Sequence, residues 1–339
     1  MRILVVKPSS FGDILHTFPA VACLESSLEE PVIDWVVNEN LSDVVGMMPG
    51  IRRRILFPRK NPWSFSALKG FLADLRREQY DVVLDFQGLF RSAVISRIAK
   101  AGERIGFADA REGAAWSYSR RITVPREEHA VRKNLMLAQQ AFSLSGSWEA
   151  GRIRLQIPQE TRERASRILP DGRPAIAVCF ASRWSSKNWP ERFFAETLRV
   201  FSGKLPECRI LLMGGAEDRA EAERLSESLP MASVLAGETS VPLLAALLEK
   251  CRAMFTVDSG PMHLAALLDV PCVALFGSTN PVLTGPYGKE GRHSIIASTC
   301  SHSPCFRRQC PLGRDCSDGV SPESAAEELF RFYHARCPK

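Results

Sequence analysis

The chain has 339 residues, 45% of them apolar and 24% charged, with 22 glycines and 22 prolines. That composition excludes a disordered or collagen-like chain, and no apolar run nears the ~20 residues that a membrane-spanning helix needs. At about 150 residues per domain the length predicts two domains. The net charge of +6 is uneven: residues 50–140 carry 18 basic against 9 acidic side chains, whereas residues 169–339 balance at 19 of each.

The chain opens with strand RILVV, a polar turn PSSFGD, and an apolar-periodic helix from Ile14 to Leu24. PVIDWVV, RILF and YDVVLDF follow as short β-branched runs without alternation, the pattern of a parallel sheet covered on both faces. Helices are predicted over Ser64–Glu78 and Leu89–Ala99, strands at ERIGF and RRITV, and a long helix over Ala130–Leu144. The stretch Gly146–Pro174, polar and carrying Pro158 and Pro170, is the expected linker.

A second alternating series then runs through strands PAIAVCF, RILLM, SVLAG, AMFTV and CVALFG. Helices alternate with them from Pro190, Glu217, Pro242 and Pro261, and a last helix starts at Pro322. Two such β/α series imply two doubly wound α/β domains with ligand loops at the carboxyl ends of their strands. The expected boundaries are 1–160 and 170–320. A terminal helix over 321–339 is expected to pack back on the first domain.

Ile3–Val6 is too short for a signal-peptide core before Lys7 intervenes. The expectation is a soluble cytoplasmic protein, in which disulfides are disfavoured. Cys23, Cys179, Cys208, Cys251 and Cys272 lie in or beside apolar segments and read as small buried hydrophobes. Cys300, Cys305, Cys310 and Cys316, with His302, form a cluster able to bind zinc or an iron–sulfur centre, although it lacks paired C-x-x-C spacing. Reduced thiols or an adventitious bridge are the favoured reading, so no metal is expected.

Common nucleotide and nucleophile motifs are absent, as is D-x-D. A diphosphate ligand would therefore be met by basic side chains and backbone N–H groups. VDSGPMHL places Asp258, Ser259 and Gly260 at a strand-to-helix junction, where a helix N-terminus favours phosphate or is simply capped. His263, on the first turn, touches ligand or packs. ASRWSSKNWP supplies Ser182 and the compact cation Lys187 after another strand. GGAED offers Glu217 to a ribose hydroxyl or to a helix cap. Asp13 suits an N-terminal cap or a general base. The basic excess of the first half reads as a solvated face or a polyanion-binding surface. No nucleic-acid module accompanies it, so no nucleic-acid partner is expected.

MRILVVKPSSFGDILHTFPA, ASRWSSKNWP and VDSGPMHLAALLDVPCVALFGSTNP, in this order, resemble glycosyltransferase family 9, the ADP-heptose:lipopolysaccharide heptosyltransferases. YDVVLDFQGLFRSA followed by EEHAVRKN resembles the members that add the first heptose to Kdo of the lipid A inner core; those adding the second heptose are the alternative. The resemblance implies a GT-B fold of two facing Rossmann-like domains with a central cleft. It also implies metal-independent, cofactor-free, inverting transfer from ADP-L-glycero-β-D-manno-heptose to Kdo-lipid A, and peripheral placement on an anionic inner-membrane surface.

By motif, Asp13 matches the family's general base and Lys187 the lysine at the donor diphosphate. Ser182 and Arg183 stand where threonines are frequent, which makes Arg183 an added diphosphate contact. Asp258 matches the aspartate near the sugar, Ser259 and Gly260 the phosphate-binding turn, and Glu217 the acid near the ribose. Arg120 matches a basic residue facing the acceptor, with Arg59 and Lys60 as further acceptor candidates.

Overall fold

The computed structural model describes residues 1–59, 65–145, 153–170, 172–310 and 312–335. It divides into two units, Met1–Gln156 and Ile157–Lys339.

The first unit runs β1 (Arg2–Val6), α1 (Phe11–Ser27), β2 (Val32–Asn38), α2 (Ser42–Gly46), β3 (Ile51–Phe57), α3 (Phe65–Leu75), β4 (Tyr80–Asp85), α4 (Phe90–Ile98), β5 (Ala101–Phe107), β6 (Arg120–Ile122) and α5 (Ala130–Ala141). The second unit opens with α6 (Gln159–Ile168), β7 (Ala175–Cys179), α7 (Glu191–Lys204), β8 (Arg209–Leu212), α8 (Arg219–Glu227) and β9 (Ala232–Val234). It continues with α9 (Val241–Lys250), β10 (Ala253–Val257), α10 (Gly260–Leu267), β11 (Cys272–Phe276), α11 (Pro281–Thr284), β12 (Ser294–Ala297) and α12 (Pro322–His334).

Both sheets are six-stranded and parallel, in the orders β3-β2-β1-β4-β5-β6 and β9-β8-β7-β10-β11-β12. The two orders are one topology: in each unit the first strand lies beside the fourth, and the winding reverses between them. Such a reversal opens a crevice at the strands' carboxyl ends, where doubly wound folds bind ligands. Central strands β7, β10 and β11 are buried throughout, which explains their unbroken apolar runs. Edge strands β3 and β12 alternate in exposure instead.

The polar stretch expected as a linker is in part a helix. α6 starts after Pro158 and buries only Ala165, so its pattern carries almost no apolar signal. Ala325, Ala326, Leu329, Phe332 and Tyr333 of the terminal helix α12 belong to the second unit's own core, alongside Phe194 and Phe201 of α7, so the apolar face of α12 is buried within its own unit.

Much of the basic excess is used internally. Arg52 donates to both carboxylate oxygens of fully buried Asp34 at 2.9 and 2.7 Å, and Arg53 and Tyr80 reach the same carboxylate. Arg104 satisfies the carbonyls of Ser96, Ala99 and Ala101.

Candidate active site at two topological switch points

In the first unit the reversal lies between β1 and β4, where Val6 pairs with Asp85. The chain leaves β1 as Lys7-Pro8-Ser9-Ser10 and enters α1 at Phe11. Asp13, third in the helix, accepts from the Ser10 N–H at 3.0 Å and the Ser10 hydroxyl at 2.7 Å, both on Oδ2. These two bonds fix the carboxylate at the start of α1, beside the crevice. Burial opposes its charge. The Lys7 ammonium, His16 and the two Ser10 bonds outweigh burial and hold Asp13 well below the usual carboxylate range.

Asp85, wholly buried at the end of β4, accepts from the N–H groups of Gln87 and Gly88 at 2.8 and 3.1 Å and from the Tyr118 hydroxyl at 2.8 Å. Burial nevertheless pushes its carboxyl above the ordinary value.

In the second unit the reversal lies between β7 and β10. The loop after β7 closes with the Ser182 N–H donating to Asn188 Oδ1 at 2.7 Å, and a short 3-10 turn ends at Lys187. Lys187 Nζ lies 2.8 Å from Asp258 Oδ2, which also accepts the Thr279 hydroxyl at 2.6 Å. Asp258 is buried directly after β10, while the Lys187 side chain keeps 18% of its surface open. Lys187 also stands over the Trp184 ring at 4.9 Å. Ser259 is the N-cap of α10, but its hydroxyl engages Thr256 Oγ1 at 3.2 Å and makes no capping bond. The first-turn N–H groups of α10 thus receive no cap from Ser259, which suits an anion.

The cysteine-rich segment packs on this site through Phe306, Arg308 and Cys316. The Arg308 carbonyl accepts from the Ser186 N–H and the Ser185 hydroxyl at 3.2 and 3.1 Å, and the Phe306 N–H donates to the Ser278 carbonyl at 2.7 Å. Gly277 permits the approach: a Cβ there would meet Cys316 Cβ at 2.6 Å and the Ser186 carbonyl at 3.0 Å.

A family model for glycosyltransferase family 9 (heptosyltransferase) matches residues 70–315. The chain belongs to this family. It is 34% identical to lipopolysaccharide heptosyltransferase 1 of Pseudomonas aeruginosa, over 91% of this chain and 87% of that protein. It is 26% identical to lipopolysaccharide heptosyltransferase 2 of Salmonella typhimurium, over 86% of this chain and 87% of that protein. The solved structure of E. coli heptosyltransferase WaaC with ADP aligns with a TM-score of 0.81 at 26% identity, covering 98% of this chain and all of that one. The segment that matches the family 9 model holds Lys187 and Asp258 but begins after Asp13, so the first unit's own geometry must carry the case for that residue.

Of the expected donor residues, the family 9 fold brings Lys187, Asp258, Ser259 and Gly260 together at one switch point. Ser182 lies on the same loop. His263 is buried within α10. Arg183 is exposed, and the guanidinium found over Trp184, at 5.5 Å, is that of Arg308 instead. Glu217 is exposed past β8, and the cap of that turn is Asp218, which accepts from the Gly215 N–H at 2.7 Å.

Among the acceptor candidates, Arg59 is exposed just past β3 and Lys60 lies outside the described residues. Arg120 opens β6 with its Nε 3.1 Å from Glu103, and it also donates to the Ala141 carbonyl.

Cys300, Cys305, Cys310 and Cys316 are half-buried free thiols, and among the described residues no group of three or more potential ligands is arranged to hold a metal ion. Burial pushes Cys179, at the end of β7, up to about 12, as expected of a packing thiol. Sequence reasoning missed Lys7, Asp85, Tyr118 and Thr279. The legible signal was a charged residue closing or following an apolar strand, as Lys7 and Asp85 do.

Proposed function

We propose that this family 9 enzyme transfers L-glycero-D-manno-heptose from ADP-heptose to Kdo of the lipid A inner core, with inversion. The Lys187–Asp258–Thr279 cluster beside the α10 N-terminus carries the donor half of this reading. An ammonium and a helix N-terminus that the Ser259 side chain does not cap, at one switch point, form an anion site for a nucleotide diphosphate. The likeness to a relative named heptosyltransferase 1 and to a structure that binds ADP supports it.

As the bond from the anomeric carbon to the diphosphate stretches, Lys187 and α10 stabilise charge on the leaving oxygen. The acceptor hydroxyl attacks from the opposite face. Asp13 takes its proton on Oδ1, the oxygen not used by the cap. One displacement needs one base and no protein nucleophile. The buried thiol of Cys179 takes no part.

The acceptor is a lipid-borne, phosphorylated saccharide, and the first unit has features suited to an anionic membrane. Exposed Arg59 and Lys69 flank Phe65, which is 82% exposed, and Leu68 at the start of α3. Basic residues with apolar neighbours favour peripheral binding to an anionic leaflet.

The decisive assay follows ADP release from ADP-heptose with Kdo-lipid A or heptosyl-Kdo-lipid A as acceptor. Turnover with the first only supports the reading, turnover with the second only reassigns the acceptor, and binding without turnover makes the chain a nucleotide-sugar-binding protein.

A further inference from the structure

The loop after β7 and the cysteine-rich segment are bonded to each other at several points. The Ser186 N–H and the Ser185 hydroxyl donate to the Arg308 carbonyl at 3.2 and 3.1 Å, and the Ser186 hydroxyl donates to the Arg307 carbonyl. Ser186 Oγ also lies 2.9 Å from Ser278 Oγ, and the Phe306 N–H donates to the Ser278 carbonyl at 2.7 Å. Thr279, next in the chain, is the residue that holds Asp258. These bonds fix where the Arg308 side chain begins, beside the Lys187–Asp258–Thr279 cluster.

That side chain lies against Trp184. Its guanidinium carbon stands 5.5 Å from the ring centroid, and Lys187 Nζ stands 4.9 Å from the same centroid. Two cations thus share one aromatic ring, and they differ in counter-charge. Lys187 has buried Asp258 at 2.8 Å. Among the described residues no carboxylate pairs with Arg308, and Asp315, the one acidic residue of 300–316, faces Arg192 at 3.5 Å. Like charges drawn to one ring repel each other, and an anion between them removes the repulsion.

Charge accounting at the donor site leads to the same residue. The Lys187–Asp258 pair cancels formally, and the N-terminus of α10 contributes only about half a positive charge. A nucleoside diphosphate sugar carries a negative charge on each phosphate. Lys187 and α10 can answer one of them, which leaves the other without a cation. A guanidinium suits that place, because its planar fork can donate two N–H groups to one phosphate.

We propose that Arg308 is a second diphosphate-binding residue of the donor site, its guanidinium guided by the Trp184 ring onto the phosphate that Lys187 and α10 leave unbalanced. This rests on the second unit binding the ADP-sugar donor.

The test is calorimetric titration of wild type, Arg308→Met, Arg308→Lys and Lys187→Ala with ADP and with AMP, alongside thermal melting of each. Methionine keeps an apolar stem on Trp184 and removes the charge. Arg308→Met should weaken ADP binding about 10-fold and affect AMP, which lacks the second phosphate, far less. Arg308→Lys, which keeps the charge, should recover most of the ADP affinity. Unchanged ADP affinity in Arg308→Met beside a weakened Lys187→Ala overturns the role of Arg308 alone. So does a loss that falls equally on ADP and AMP and is not rescued by lysine, which marks an arginine that only packs the loop. Failure of wild type to bind ADP, or ADP affinity untouched in both Lys187→Ala and Arg308→Met, overturns the donor reading itself.

Discussion

Lys187 shows how a single side chain acquires two functions from its surroundings. Its ammonium is held by Asp258, itself held by Thr279, and the remaining N–H groups are available to a diphosphate. Lys187→Ala should weaken ADP binding and slow transfer together, by ~10- to 100-fold in kcat/KM, because charged hydrogen bonds contribute about 1.5–3 kcal/mol each; titration calorimetry with ADP and steady-state rates check both effects. For the first unit, the depressed Asp13 carboxyl sets the pH response. A base already ionised well below neutrality gives wild-type kcat/KM no acid limb from Asp13 between pH 5 and 8, and a limb there that vanished in Asp13→Asn would contradict this. Asp13 and Lys187 were legible as residues at strand-to-helix junctions. Thr279 was not, because its contact with Asp258 joins positions 21 residues apart that only the adjacency of β10 and β11 brings together.

At the scale of elements, the sequence pattern revealed strands better than edges and caps. The central strands announced themselves through unbroken apolar runs. β12 did not: it is four residues long and half exposed. α6 was hidden because a helix that buries one alanine has no apolar stripe to read. α12 has a clear stripe, but the stripe alone does not say which surface it covers. Leu329 is fully buried in the second unit's core. Leu329→Ala should therefore cost ~2–5 kcal/mol, seen as a lower melting temperature. The proposed donor site lies in that same unit, so ADP should raise the melting temperature of this variant as it does that of wild type; full stability in Leu329→Ala would contradict the packing described.

At the scale of the molecule, one topology is used twice, and both occurrences place candidate site residues at the winding reversal. The repeat was invisible to residue identity because what recurs is strand order. The net charge was a poor guide, since Arg52, Arg53 and Arg104 spend theirs inside the first unit. The basic and apolar start of α3 remains outward, and binding to anionic vesicles should fall steeply between 50 and 500 mM salt, roughly as the screening length shortens from ~14 to ~4 Å. Salt-insensitive binding measured by co-sedimentation would remove the electrostatic part of that docking.

Donor binding is proposed for the second unit and proton removal for the first. Asp13→Asn separates the two most directly, measured as ADP affinity together with turnover on ADP-heptose and Kdo-lipid A. The predicted result is wild-type ADP affinity with turnover lowered ~10²–10⁴-fold; turnover close to wild type, or ADP affinity lost in parallel, would contradict it.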